Sequence, residues 1–113
     1  MDNKEINDKL DKYISILKNF FDLKMVVLYG SYAKGNESRD SDIDVAVFIK
    51  KKKGMDYLEK EKLLYKLSSS IDRKIEPNLF YIDEIKNLEK ASFVQGILRK
   101  GKIFYNNKVK FNV

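Results

Sequence analysis

The sequence of 113 residues contains no cysteine and no histidine, and it has one proline. Without cysteine the chain can form no disulfide and no thiolate metal site, and without histidine any bound metal must be held by oxygen. No stretch approaches the roughly 20 apolar residues of a membrane-spanning helix, and the first residues lack the charged-then-apolar pattern of a secretory signal. We therefore expect a soluble, cytoplasmic protein that makes no contact with the membrane.

Lysine supplies most of the net charge of +6, since arginine occurs only at positions 39, 73 and 99. The lysines are spread along the whole chain, whereas nucleic-acid binding favours arginines and aromatic residues gathered on one face. The run from Lys50 to Lys53 indicates a solvated turn that protects a sheet edge, with contact to nucleic acid or to an acidic partner as the alternative. We therefore expect no nucleic-acid partner.

Length and periodicity predict one domain, residues 1–113, with alternating helices and strands. Apolar residues at steps of three and four indicate helices, and short apolar runs indicate strands. The predicted helices cover 3–21, a short turn from Ser31 to Gly35, 56–71 and about 84–99, and the predicted strands cover 25–29, 42–49 and 75–82. Gly101 closes the last helix before a short apolar segment at 103–105.

Local signals predict the ends of these elements and the kind of sheet. Aspartate or asparagine can cap the predicted helices, at Asp2 or Asn3, at Asp56 and at Asp83. The helix at 56–71 is predicted to bury Leu58, Leu64, Leu67 and Ile71. Because a strand, a crossover helix and a strand normally give a parallel pair, we predict an α/β (α+β) fold with a mixed sheet of three or more strands flanked by helices. Pro77 cannot donate a ladder hydrogen bond and therefore predicts an edge strand or a bulge.

Two polar motifs, separated by ten residues, lie beside the first two predicted strands. Gly30 permits a close backbone approach, and Ser31 begins a turn whose N–H groups favour phosphate oxygens. Asp42 and Asp44 point the same way, roughly 6.5 to 7 Å apart along the strand. They repel each other unless a divalent cation lies between them, and oxygen ligands suit Mg²⁺. An isolated Gly-Ser pair is more often a plain capped turn, and only the downstream carboxylates favour a phosphate site.

Together these motifs resemble the signature of the DNA polymerase β-like nucleotidyltransferase superfamily, and the short chain resembles its minimal (MNT) branch. The resemblance extends from residue 25 to about residue 105. Members of this branch often serve as antitoxins to HEPN-domain toxins. The resemblance therefore implies the nucleotidyltransferase fold, ATP as a substrate, two Mg²⁺ ions as cofactors and a HEPN toxin as the partner.

The resemblance also implies roles for single residues around the nucleotide. Gly30 and Ser31 would hold the β and γ phosphates, and Asp42 and Asp44 would be metal ligands that bridge both ions. Lys34 stands where many MNT proteins carry arginine, and it would contact phosphate without the bidentate fork of a guanidinium group.

Glu76, at the start of the third predicted strand, is the candidate for a third catalytic and metal-binding acid. It would bind the ion next to the acceptor and help to remove the acceptor's proton. Members of the family commonly have aspartate at this place, so Glu76 departs from the pattern. A surface carboxylate at a strand start is the alternative.

Two functions follow from the resemblance. The first is an enzyme that transfers AMP from ATP to a hydroxyl of a protein partner, with a tyrosine of a HEPN toxin as the expected acceptor. The second is a catalytically degenerate antitoxin that neutralises its toxin by binding alone, which the departure at Glu76 leaves open. Nucleic-acid binding through the lysine surface is a third and weaker option.

Overall fold

One mixed sheet lies at the centre of the computed structural model, which describes residues 1–38, 40–85 and 92–111. Within these residues the strands are β1 (Leu23–Tyr29), β2 (Ile43–Ile49), β3 (Ile75–Tyr81) and β4 (Lys102–Asn106). Their order across the sheet is β3-β2-β1-β4. β1 runs antiparallel to both of its neighbours, and β2 and β3 are parallel. The predicted mixed sheet and the predicted parallel pair are therefore confirmed.

Helices connect and cover the strands, and two of them begin where the predicted capping residues lie. They are α1 (Asn3–Phe20), α2 (Ser31–Lys34), α3 (Tyr57–Ser69) and α4 (Phe93–Lys100). The side chain of Asp2 accepts a hydrogen bond from the Glu5 N–H at 2.8 Å, and that of Asp56 accepts one from the Glu59 N–H at 2.9 Å. Each of these bonds satisfies one of the free donors of a first helical turn. The predicted caps at Asp2 and Asp56 are confirmed.

The last predicted helix, at about 84–99, begins in the wrong place. The chain forms a short 3₁₀ helix at Ile82–Ile85, which contains Asp83, and α4 begins only at Phe93. Ser92 caps α4, because its hydroxyl accepts a hydrogen bond from the Gln95 N–H at 3.1 Å. Residues 86–91 of the predicted helix lie outside the described residues. Gly101 ends α4 as predicted.

The sheet is covered on both faces, by α1 and α3 on one side and by α4 on the other. The first core contains Ile6, Leu10, Tyr13, Ile14, Leu17, Leu23, Val26, Leu28, Tyr32, Ile43, Val45, Val47, Ile49, Leu64, Ile75 and Leu79. The second contains Met25, Val27, Ala46, Phe48, Ile97 and Leu98. β1 and β2 contribute to both cores, which explains why residues 25–29 of β1 and 45–49 of β2 are continuous apolar runs.

One predicted core residue is wrong, because Leu58 is 58% exposed. Leu58 lies six residues before the buried Leu64, which places it roughly 240° around the helix from it. Lys60 and Ser68 are buried on the inner face of α3 instead, and Leu67 and Ile71 are partly buried against the core.

The position of Pro77 in the sheet agrees with its missing backbone N–H group. β3 is paired with β2 and lies at the edge of the described sheet, so Pro77 is in an edge strand as predicted. Lys50 to Lys53 are exposed at the other end of β2 from Asp44. No helix in the described ranges has both the length and the apolar character needed to span a membrane.

Candidate functional site

The turn after β1 brings backbone directly against a carboxylate. Gly30 has φ +73° and ψ −152°, a region that is essentially restricted to glycine. A Cβ at this position would lie 3.2 Å from Cγ of Asp44 and would collide with the carboxylate. α2 follows, and it ends at Gly35 (φ +75°), whose N–H donates to the Ser31 carbonyl, as predicted for this short turn. A larger residue at position 30 would therefore be strained in its backbone and would displace the Asp44 carboxylate.

Asp44 lies at the junction of three strands. In the sheet register it pairs with Tyr29 of β1 on one side and with Glu76 of β3 on the other. Because paired strands lie about 4.8 Å apart, the backbones of Asp44 and Glu76 are direct neighbours. Partial burial raises the pKa of Asp44, and the negative charges of Asp42 and Glu76 raise it further. These three acids therefore form one cluster of negative charge.

Tyr65 of α3 reaches this cluster from the side. Its hydroxyl donates a hydrogen bond of 2.8 Å to Oε2 of Glu76. This hydrogen bond, burial and the charge of Glu76 raise the pKa of Tyr65 to about 12, which keeps the hydroxyl protonated at neutral pH. Tyr65 is not among the predicted site residues, and no pattern in α3 could have indicated it, because the contact joins a helix to a neighbouring strand.

Tyr29 connects the acidic cluster to the region under α4. Its hydroxyl accepts a hydrogen bond from the side-chain amide of Asn78 on β3. Its ring meets the ring of Phe93 edge to face, with the centroids 5.8 Å apart. The last residue of β1 is therefore fixed by contacts with both β3 and α4.

A cleft of about 410 Å³ opens between α2 and α4, beside the end of β1. Its lining consists of Tyr29, Gly30, Ala33, Lys34, Phe93, Gly96, Ile97 and Lys100. The volume falls in the range of small-molecule sites, and two lysines and an exposed aromatic ring surround it. Gly30 belongs both to this cleft and to the acidic cluster, so the two features are contiguous.

The predicted site residues divide between these two features. Gly30 and Lys34 line the cleft, whereas Asp42, Asp44 and Glu76 form the acidic cluster. Ser31 is the first residue of α2, partly buried beside Gly30. Phe93 and Lys100 of the cleft were missed, since only the packing of α4 against β1 brings them there.

The acidic cluster has the donor chemistry of a site for a hard divalent cation. Its side chains offer only oxygen, and burial together with their mutual repulsion raises the pKa of Asp44. Within the described ranges no three acidic side chains converge as one set of metal ligands. The Glu76 carboxylate is held by Tyr65, so Asp42 and Asp44 are the pair that suits a cation best.

Comparison with known proteins gives both a family and individual relatives. The sequence model of the family described as "Polymerase beta, Nucleotidyltransferase" matches residues 11–110. The protein adenylyltransferase MntA of Shewanella oneidensis is 34% identical over 67 residues, which are 58% of this chain and 47% of that protein. MJ0141 of Methanocaldococcus jannaschii, provisionally named a protein adenylyltransferase, is 34% identical over 95 residues, which are 74% of this chain and 91% of that protein.

Solved structures share the fold. A chain in a crystal structure of a toxin-antitoxin with AMP-PNP has 25% sequence identity and a TM-score of 0.61, over 90% of this chain and 74% of that chain. Some of the relatives are aligned with this chain over less than half of their own length. This chain spans 47% of MntA and 43% of a further relative from Methanocaldococcus jannaschii.

Proposed function

This chain belongs to the polymerase beta nucleotidyltransferase family, and we propose that it transfers AMP from ATP to a hydroxyl of a protein partner. The observation that carries the proposal is the contact of the Gly30 backbone with the Asp44 carboxylate. This contact joins a turn suited to phosphate with a cluster suited to a cation. The names of MntA and MJ0141 as adenylyltransferases support a protein as the acceptor.

In the proposed reaction the acceptor hydroxyl attacks the α-phosphate of ATP while pyrophosphate leaves in line. Gly30 and Ser31 hold the β and γ phosphates, and Lys34 and Lys100 attract the triphosphate into the cleft between α2 and α4. Catalysis of this type depends on positioning and on charge stabilisation more than on covalent steps.

The acids have separate tasks in this proposal. Asp42 and Asp44 are the residues that would hold Mg²⁺, which supplies neutralising charge at the triphosphate. Glu76 accepts the proton that the acceptor hydroxyl loses. Its position opposite Asp44 in the parallel register supports this task, because it lies beside the metal-binding pair.

We propose that the partner is a HEPN toxin, which the chain neutralises in the cytoplasm by modifying a tyrosine. The toxin-antitoxin structure with AMP-PNP supports both a toxin partner and an adenine nucleotide. Neutralisation by binding alone is the second candidate. Binding alone is favoured by two observations: Glu76 is hydrogen-bonded to Tyr65, and no three acidic side chains in the described ranges form one set of metal ligands.

The test is transfer of AMP to a HEPN toxin incubated with this chain. Wild type, Asp44→Asn and Glu76→Gln are each incubated with Mg²⁺, the partner and ATP labelled in its α-phosphate. We expect Asp44→Asn to lower transfer by at least about 10²-fold, because it removes charge at the metal pair. Glu76→Gln should lower transfer and leave ATP binding intact. If wild type modifies nothing and all three proteins neutralise the toxin equally, the enzymatic function is wrong and binding alone stands.

A further inference from the structure

A hydroxyl of the chain itself already lies where the proposed reaction places its acceptor. Tyr65 is 42% exposed on α3, and its hydroxyl donates to the Glu76 carboxylate at 2.8 Å. Glu76 is the group that accepts the acceptor's proton in the proposed function. The hydroxyl of Tyr65 therefore already makes the contact with Glu76 that the proposed reaction requires of an acceptor.

We propose that Tyr65 is an acceptor for AMP, so that the protein modifies its own α3. This inference rests on the proposed function, since it uses the same transfer reaction. The Tyr65 oxygen forms a bond to the α-phosphorus of ATP, and the bond from that phosphorus to the oxygen that bridges to the β-phosphate breaks. Pyrophosphate leaves with the electron pair of the broken bond, and the phenolic proton passes to Glu76. The product is an AMP phosphodiester on Tyr65.

The hydrogen bonds of the other tyrosines single out Tyr65. Tyr57 lies on the same helix and is equally exposed, at 42%, but its hydroxyl donates to the Leu79 carbonyl at 2.7 Å. Tyr13 is fully buried and donates to the Leu64 carbonyl. In the part of the chain that the structure describes, the hydroxyls of Tyr13 and Tyr57 thus donate to backbone carbonyls, whereas that of Tyr65 donates to a carboxylate. Tyr57 therefore provides a matched control with equal exposure and a different partner.

Modification would also remove the contact that now holds Glu76. An oxygen esterified to AMP has no proton to donate, so the hydrogen bond of Tyr65 to Glu76 cannot persist. The attached nucleotide would occupy the space beside Glu76 through which a partner's hydroxyl must approach. Self-modification of Tyr65 would therefore limit transfer to the partner.

The experiment is peptide mapping of the purified chain after incubation with ATP and Mg²⁺. Cleavage after glutamate, which does not occur at the Glu76–Pro77 bond, gives a fragment 62–84 that contains Tyr65 and Tyr81, and a fragment 38–59 whose only tyrosine is Tyr57. We expect one AMP on fragment 62–84, assigned by fragment-ion sequencing to Tyr65 and not to Tyr81 or to the serines at 68–70. The label should be lost in Tyr65→Phe and in Asp44→Asn, and retained in Tyr57→Phe.

A parallel reaction with the HEPN partner separates the two proposals. AMP on the partner with none on Tyr65 overturns self-modification and leaves the proposed function intact. AMP on neither protein overturns both. AMP confined to other residues of the chain, or an equal loss of label in Tyr57→Phe and Tyr65→Phe, also contradicts the assignment of Tyr65. Because the mapping is done on wild type, it does not depend on how any variant folds.

Discussion

Replacing Gly30 by alanine should damage the protein in two separable ways. The backbone at Gly30 (φ +73°, ψ −152°) costs an L-residue about 1–3 kcal/mol. In addition, the new Cβ would lie 3.2 Å from Cγ of Asp44 and would push the carboxylate out of its place. A small domain has a free energy of unfolding of about 5–15 kcal/mol, so the variant should still fold.

Gly35→Ala provides the matched control for the backbone effect. Gly35 also has positive φ (+75°, with ψ 17°), but no atom lies within 4 Å of a Cβ built on it. This variant should therefore lose about 1–2 kcal/mol of stability and leave the Asp44 carboxylate in position. Because a Cβ meets Asp44 only at position 30, a difference in ATP affinity between the two variants reports the collision with Asp44.

Urea unfolding measures the loss of stability, and calorimetric titration with ATP in the presence of Mg²⁺ measures binding. We expect both variants to be less stable than wild type, and only Gly30→Ala to lose affinity for ATP, by at least about tenfold. Equal ATP affinity in the two variants would refute the reasoning, because the contact of Gly30 with Asp44 would then be irrelevant to the nucleotide.

Four further predictions concern the cation, the turn that begins at Ser31, the core and acid stability. ATP should raise the melting temperature in Mg²⁺ but not in EDTA, since triphosphate and aspartates repel each other without a cation. Ser31→Ala should weaken ATP binding in calorimetric titration by about 1 kcal/mol, because it removes one hydroxyl hydrogen bond. Tyr13→Phe should cost about 1 kcal/mol in urea unfolding, because it removes a fully buried hydrogen bond of 3.0 Å to the Leu64 carbonyl. Burial alone would raise the pKa of Asp72, but its hydrogen bonds and the charge of Lys9, 2.6 Å away, lower it below the usual value. The stability due to this pair should therefore be complete above about pH 4 and be lost as the pH falls through the lower pKa of the folded protein. Lys9→Met should weaken that dependence, as measured by the urea midpoint at each pH.

Short-range signals predicted much of the fold. The caps at Asp2 and Asp56 depend on a few successive residues, and both helices begin where those residues indicate. The parallel pairing of β2 and β3 follows from the crossover helix that connects them. This pairing places Glu76 opposite Asp44. Predictions that depend on neighbouring residues or on one topological rule could therefore be made without the structure.

The remaining features depend on contacts between elements distant in the sequence. The short segment at 103–105 belongs to β4, which is stabilised by pairing with β1 and has no strong alternating pattern of its own. Phe93 and Lys100 reach the cleft only because α4 packs against the second core, and Tyr65 meets Glu76 only because α3 packs on β3. The angle at which a helix packs on a sheet cannot be predicted from the pattern of neighbouring residues.

The sheet topology also sets an order for assembly of the site during folding. β1 and β2 follow each other in the chain and pair antiparallel, so their pairing closes a short loop and brings Gly30 to Asp44 early. Glu76 arrives only after α3 has carried the chain across the sheet, and such a distant parallel pairing closes a longer loop and forms more slowly. A nascent chain that has paired only β1 with β2 would thus possess the turn and the aspartates but would lack Glu76, the acid proposed to receive the acceptor's proton.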